Sequence, residues 1–377
     1  MASSLNLTFT GDDLAATLQS LDSLGQAGLA TWLALSAAPF AALPPTLQAV
    51  GGLRSLFPDL QKVHHALCHY RLSAQSLETL TLPPLPSSWL PVILGAPTAG
   101  QFVAFRTLFT QTHPEALWSV FRQDRHPTLP LPEADLGYWL QQLAPERSLY
   151  EINALYLEAG IAAVQERLSV IQSDPEPTTV LFDTLTSAHL AQIAQVLWLQ
   201  KPALVLGSSE LLEALAALLP ARVMIAPKIP PVDQLLVVCG SASPTTREQI
   251  DGARDAGYFC HTFRDEARAI RVMGSALAVG HSAVIYTAQA GQSELLGWTL
   301  SRLLENSTVS RLVLCGSDTF LSIAAALHLQ ALEFLAPLEP GVPLCRAIGG
   351  VLDGRELVVK PGASGGRNLF QQVKQGR

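Results

Sequence analysis

From residue 235 onward, short unbroken apolar runs alternate with stretches of helical spacing, and that alternation leaves few folds open. Residues 235–239, 283–287, 312–315 and 357–359 read as strands, with helices expected at 245–256, 294–305 and 320–334. A strand with one wet face alternates apolar and polar residues, whereas an unbroken apolar run is covered on both faces. Runs of this kind separated by helices specify a parallel sheet between two helical layers. The first half carries the same signals less regularly. Leu5, Leu7 and Phe9 alternate with polar residues, Gly11-Asp12-Asp13 makes an acidic turn, and Leu14, Leu18 and Leu21 recur at helical spacing. Beyond the proline-rich 82–91, strands are expected at 91–95, 178–183 and 202–206 and helices at 133–143, 151–172 and up to 199. The expected fold class is α/β: two three-layer lobes with mostly parallel sheets and a cleft between them, residues 1–231 and 232–377.

Composition removes several function classes. Hydrophobic residues make up 49% of the chain and charged residues 15%, with a formal net charge of −7. A chain so apolar is not generally disordered. An acidic chain without a Lys/Arg cluster lacks the basic face that many phosphate contacts require, so nucleic acid is not an expected partner. Cys68, Cys239, Cys260, Cys315 and Cys345 form no C-x-x-C pair and are odd in number, which argues against a zinc site or disulfide framework. Free thiols inside apolar strands fit a reducing compartment, and neither a signal-peptide pattern nor a spanning helix is evident. A cytoplasmic location without membrane association is the expectation, and homo-oligomerisation stays open.

In parallel α/β sheets, ligands collect beyond the carboxyl ends of the strands, where turns lead into helix N-termini. Three turns of small residues fall there: Gly240-Ser241-Ala242-Ser243-Pro244, Gly316-Ser317-Asp318-Thr319 and Lys360-Pro361-Gly362. Such turns can cradle phosphate with backbone N–H groups and a positive helix end, and Lys360 can add a point charge. Asp12 and Asp13 can orient a hydroxyl or take its proton, but Asp there also caps a helix, and Asp318-Thr319 reads equally as an N-cap. His64, His65 and His69 lack the spaced partners of a metal cluster. Neither common nucleotide fingerprint, G-x-x-x-x-G-K-[ST] or G-x-G-x-x-G after a strand, occurs.

Five segments in this order carry a resemblance. They are Phe9-Thr10-Gly11-Asp12-Asp13-Leu14, Gly95-Ala96-Pro97, Arg125-His126-Pro127-Thr128 with Glu133-Ala134-Asp135-Leu136, the string from Gly240 to Ile250, and a C-terminal block. That block comprises Gly316-Ser317-Asp318-Thr319, Pro340-Gly341-Val342-Pro343-Leu344-Cys345, Asp353-Gly354 and Lys360. On these segments the chain resembles the four-carbon acid sugar kinase family over nearly its whole length. The resemblance implies an N-terminal domain for a small sugar acid and a C-terminal domain for ATP, with Mg²⁺. Asp12 and Asp13 would face the transfer, one as base. Arg125 and His126 would bind the acid. Ser241, Ser243, Gly316, Ser317, Asp318, Thr319, Lys360 and Gly362 would surround the nucleotide.

The chain departs from the family pattern in five places, one of them a shortening between Thr128 and Glu133. Ala15-Ala16-Thr17 replaces the Thr-Gly-Ala that should follow the acidic turn. Phe320-Leu321 stands for Ser-Gly where backbone would approach phosphate. Pro361 removes an N–H donor next to Lys360. Leu67-Cys68-His69-Tyr70-Arg71-Leu72 replaces a Lys/Cys-Ser-Thr segment. Two expectations follow: ATP-dependent phosphorylation of a hydroxyl on a four-carbon sugar acid, or a catalytically eroded homologue acting as a ligand-binding or regulatory protein.

Overall fold

The computed structural model describes residues 7–11, 14–41, 43–56, 67–71, 89–111, 119–120, 135–219, 228–241, 243–287, 292–305 and 307–377. In chain order the elements begin with β1 (Leu7–Gly11), α1 (Leu14–Gln26), β2 (Thr31–Ala34), β3 (Ala49–Gly52), β4 (Leu67–Arg71), β5 (Leu90–Ile93), β6 (Gln101–Ala104), β7 (Thr107–Thr110) and β8 (Ser119–Val120). Next come α2 (Leu136–Leu143), β9 (Ser148–Ile152), α3 (Ala154–Glu158), α4 (Ile161–Gln172), β10 (Thr178–Phe182), α5 (Ser187–Gln200), β11 (Val205–Gly207) and α6 (Ser209–Ala216). The remainder holds β12 (Leu235–Cys239), α7 (Pro244–Asp255), β13 (Phe259–Thr262), α8 (Glu266–Ala278), β14 (Ala283–Tyr286) and α9 (Ser293–Glu305). It closes with β15 (Arg311–Cys315), α10 (Ser317–Ala326), β16 (Ala331–Glu339), β17 (Val342–Ile348), β18 (Glu356–Lys360) and α11 (Leu369–Gln375).

The chain forms two compact α/β units, one of residues 2–16 and 57–221, the other of residues 17–56 and 222–377. A single cut at residue 232 therefore does not describe the division. Residues 17–56 join the second unit because β2 pairs antiparallel with β16 (Leu33 opposite Leu332) and β3 extends the sheet beside β2.

In the first unit, β1, β4, β11, β5, β10 and β9 are hydrogen-bonded in that order, every pair parallel. β5 and β11, in the middle of this sheet, are apolar on both faces, β1, β4 and β10 also bury polar side chains such as Thr8, Thr10, His69 and Thr179, and the core gathers Tyr70, Val92, Leu94, Leu140, Leu181 and Leu206. The expected helix over 151–172 is split. Ser148–Ile152 is a strand, and Gly160, at φ +99°, separates α3 from α4.

In the second unit, β13, β14, β12, β15 and β18 run parallel, after which β17 and β16 continue the sheet antiparallel. The strands expected at 235–239, 283–287, 312–315 and 357–359 all form. β13 and α8 escaped the sequence reading, since an edge strand that is half-buried throughout carries no apolar run. The helix expected over 320–334 stops at Ala326: His328 turns the chain at φ +53°, and Ala331–Glu339 pairs with β17. Ala and Leu suit either element, and the strand partners decide. Among the described residues, no helix is long and apolar enough to cross a membrane.

Arg311, at the start of β15, is completely buried. Its guanidinium binds Glu356 on β18 (Nε to Oε2, 2.7 Å), the Val373 carbonyl of α11 (2.7 Å) and the Pro230 carbonyl (2.9 Å). One side chain thus ties the ends of two strands, the terminal helix and the segment entering β12. A buried charge that satisfies several acceptors is costly to remove, because its partners stay behind unpaired. Arg311→Met should lower stability by about 3–5 kcal/mol, read as a lower urea midpoint at unchanged slope. A loss below about 1 kcal/mol would mean those partners find water instead.

Candidate functional site

Strands β12, β15 and β18 end in one row, with Cys239 opposite Cys315 and Cys315 opposite Lys360. Parallel strands in register deliver the turns that follow side by side. The ladder also runs one step into the turns: Gly240 N–H donates to Cys315 O (3.2 Å) and Gly316 N–H to Lys360 O (2.9 Å). Glycine is needed at each turn for a specific reason. At Gly240, a Cβ would collide with the Thr319 hydroxyl. At Gly362, it would stand 2.5 Å from Ser241 Oγ. Gly316 has φ +103°, which L side chains rarely adopt. The turns interlock through glycines seated against hydroxyls of their neighbours.

The third turn is fixed by its own carbonyl. Gly362 O accepts from Lys360 Nζ (2.8 Å), Ser243 Oγ (2.5 Å) and Thr246 Oγ1 (3.0 Å). Ser243 is also the N-cap of α7 and accepts from Thr246 N–H (3.1 Å). Farther along, Gln249 Nε2 donates to the carbonyls of Ser364, Gly365 and Gly366, at 3.0, 3.0 and 3.1 Å. With these carbonyls drawn toward α7, the N–H on the far side of each peptide plane points the other way. A turn with inward C=O and outward N–H groups can cradle an anion.

The expectation for Lys360 needs correction. It does not hold a free point charge toward phosphate: the side chain is fully buried, and its Nζ also reaches Pro361 O (3.1 Å) and Thr246 Oγ1 (3.2 Å). Three oxygens thus occupy the three ammonium donors. Burial pushes its pKa below the ordinary lysine value, opposed by the nearby Cys315, Cys239 and Glu339 side chains. Lys360 acts from beneath the turn, holding its backbone and contributing positive charge through it.

At the second turn, the N-cap of α10 is Gly316, not Asp318 or Thr319, and no side chain caps it. Asp318 is exposed in the first helical turn, Ser317 half-buried, and Thr319 packed against Gly240. Phe320 is completely buried in the core. Leu321 lines a cavity of about 550 Å³ with Leu35, Leu53, Ala324 and Ala325. These two side chains point away from the turn, so the substitution of Ser-Gly by Phe-Leu is absorbed by packing and leaves the first-turn N–H groups in place.

In the first unit, Asp12, Asp13, Arg125 and His126 lie outside the described residues. The carboxyl ends of β5, β10 and β11 carry Gly95, Asp183 and Ser208. Ser208 caps α6 and donates to Gly95 O (2.7 Å), and Asp183 is buried, its carboxyl pKa raised by that burial against backbone hydrogen bonds. His69 is a core residue of β4; burial holds its imidazole at about 3, hence neutral. No group of three or more metal-ligating side chains occurs among the described residues. Sequence reading missed Thr246, whose roles depend on contacts across 114 to 116 positions, and Asp183, a lone acid at a strand end.

Lys360→Met removes the charge-assisted bonds under Gly362 while keeping the volume. If these turns hold the ATP that the resemblance implies, its affinity should fall about 10- to 100-fold, matching a loss of about 1.5–3 kcal/mol, while the apoprotein still melts cooperatively. Calorimetric titration checks this, and unchanged affinity would remove Lys360 from the site.

Residues 79–215 match the model of a sugar-binding N-terminal domain and residues 236–370 that of a nucleotide-binding C-terminal domain. The 3-oxo-isoapionate kinase of Paraburkholderia graminis is 29% identical over 345 residues, covering 78% of this chain and 72% of that protein. The 3-oxo-tetronate kinase of Pseudomonas fluorescens is 26% identical over 321 residues, covering 74% and 69%. Haemophilus influenzae protein HI1011, of family DUF1537, shares the fold with a TM-score of 0.74 at 17% identity over 98% of this chain and 99% of that one. A protein of Salmonella typhimurium LT2, provisionally described as a tRNA synthase, shares it with a TM-score of 0.77 at 19% identity over 98% of each chain. The paired domain models, in the order the motifs require, place this chain in the four-carbon acid sugar kinase family.

Proposed function

We propose that this protein transfers the γ-phosphoryl group of ATP to a hydroxyl of a small sugar acid, a four-carbon acid or a close 3-oxo relative. The observation that carries this reading is the row of interlocked turns at Gly240, Gly316 and Gly362, two of them leading into helix N-termini. Phosphoryl transfer needs little covalent chemistry from a protein; it needs reactants positioned and developing charge stabilised. Outward N–H groups on a rigid frame, with a buried ammonium beneath, supply fixed positive potential for triphosphate oxygens. Mg²⁺, when bound with ATP, would neutralise phosphate charge, and Asp318 is an exposed carboxylate at that edge. Of the first unit, Asp12 and Asp13 are assigned to the acceptor hydroxyl, one as base, and Arg125 and His126 to the acid's carboxylate.

The non-catalytic alternative rests on the missing Thr-Gly after Asp13 and on Pro361. Purified protein with Mg-ATP should release ADP only when a suitable acid is added, from a set including 3-oxo-tetronate, 3-oxo-isoapionate and the tetronates. Chelating the metal should abolish turnover. Asp13→Asn should abolish it too while ATP affinity stays within about threefold, under 1 kcal/mol. Tight ATP binding with no acid-dependent ADP release would favour the non-catalytic reading, and full turnover by Asp13→Asn would remove Asp13 from the chemistry.

A further inference from the structure

The β6–β7 hairpin turns on Phe105 and Arg106, whose φ values are +47° and +66°. Such turns usually use Asn or Gly, and two consecutive side-chain-bearing residues there carry an energetic cost. Conformations of that cost persist only where surroundings over-determine them, and the surroundings here do. The buried Asp183 carboxylate accepts from Phe105 N–H (2.9 Å) and from Ala154 N–H at the start of α3 (2.8 Å). The Arg106 guanidinium forks onto Asp135, the N-cap of α2, at 2.9 to 3.2 Å. Val103 exchanges backbone hydrogen bonds with Thr184 (3.0 and 2.8 Å), and Ala96 does so with Gln101. The hairpin is thereby seated on the segments leaving β5 and β10, at the ligand-facing carboxyl edge of the first unit's parallel sheet.

All this bracing presents one large apolar side chain to solvent: Phe105 is 56% exposed. A core role does not explain it, and a polar tip residue with an easier conformation would serve a bare connection. We propose that Phe105 is a substrate-contact residue of the sugar-acid site, its ring covering the apolar C–H face of the acid's carbon chain, with Asp183 and Asp135 as the positioning residues that hold the turn. Phe105 lies inside the segment matching the sugar-binding domain model. The proposal rests on the sugar-acid kinase reading and deepens it: the favoured acids present an uncharged stretch of their carbon chain to the ring, and charged or amino-substituted analogues at that face are rejected.

The test compares wild type with Phe105→Ala, Phe105→Tyr and, as a surface control, Val170→Ala, which is equally exposed on α4. With the best acid from the set above, Phe105→Ala should raise the KM for the acid about tenfold. Its kcat should stay within about twofold, with the KM for ATP and the melting temperature unchanged. Phe105→Tyr should restore the acid KM, and Val170→Ala should leave it alone. An unchanged acid KM in Phe105→Ala, while wild type turns over, overturns the Phe105 assignment and leaves the kinase reading standing. Should wild type turn over no acid, calorimetric titration with the same acids separates the two claims. Binding lost only in Phe105→Ala supports the contact. Equal binding by both, or none by wild type, overturns it.

Discussion

The carbonyl of Gly362 is the point on which the row of turns beyond β12, β15 and β18 depends. Three donors converge on it from β18, the cap of α7 and the first turn of α7, so its direction is fixed by groups that are themselves fixed. Once that peptide plane is set, the Ala363 N–H on its far side has one way to point. Gly362 must also lie against Ser241, and Gly240 against Thr319, which couples the third turn to the first and the first to the second. The sheet register below aligns all three, so long-range packing and short-range hydrogen bonding arrive at the same arrangement.

That dependence also bears on how worn this family member is. Glycines are present at turn positions 240, 316 and 362, where a Cβ would crowd a neighbouring hydroxyl or φ is positive. Serine and glycine are missing at 320 and 321, where the replacing side chains run into the core and a cavity wall. At the second turn, substitution has fallen where packing can absorb it. Pro361 keeps its carbonyl on Lys360 but leaves the third turn one N–H donor short.

Much of the second unit was legible from residue patterns, because doubly covered parallel strands appear as unbroken apolar runs. Ala331–Glu339 was not: its alanines, leucines and phenylalanine fit a helix, and only pairing with β17 and β2 makes it a strand. The discontinuous second unit was hidden for the same reason, since no local signal tells Thr31–Ala34 that its partner lies three hundred positions away. At the candidate site, residue types and spacing mark three turns at strand ends, whereas the inward use of Lys360 and the contacts of Thr246 depend on tertiary structure. The strained Phe105-Arg106 turn carries no glycine or asparagine and so gives no turn signal in the sequence.

Amide hydrogen exchange with and without saturating Mg-ATP tests the central claim directly, because it reads the N–H groups the frame is said to aim. Exchange should slow in residues 316–320 and 362–366 together, and the Lys360→Met protein should lose that protection in both segments. Protection by nucleotide that bypasses both segments would contradict the account.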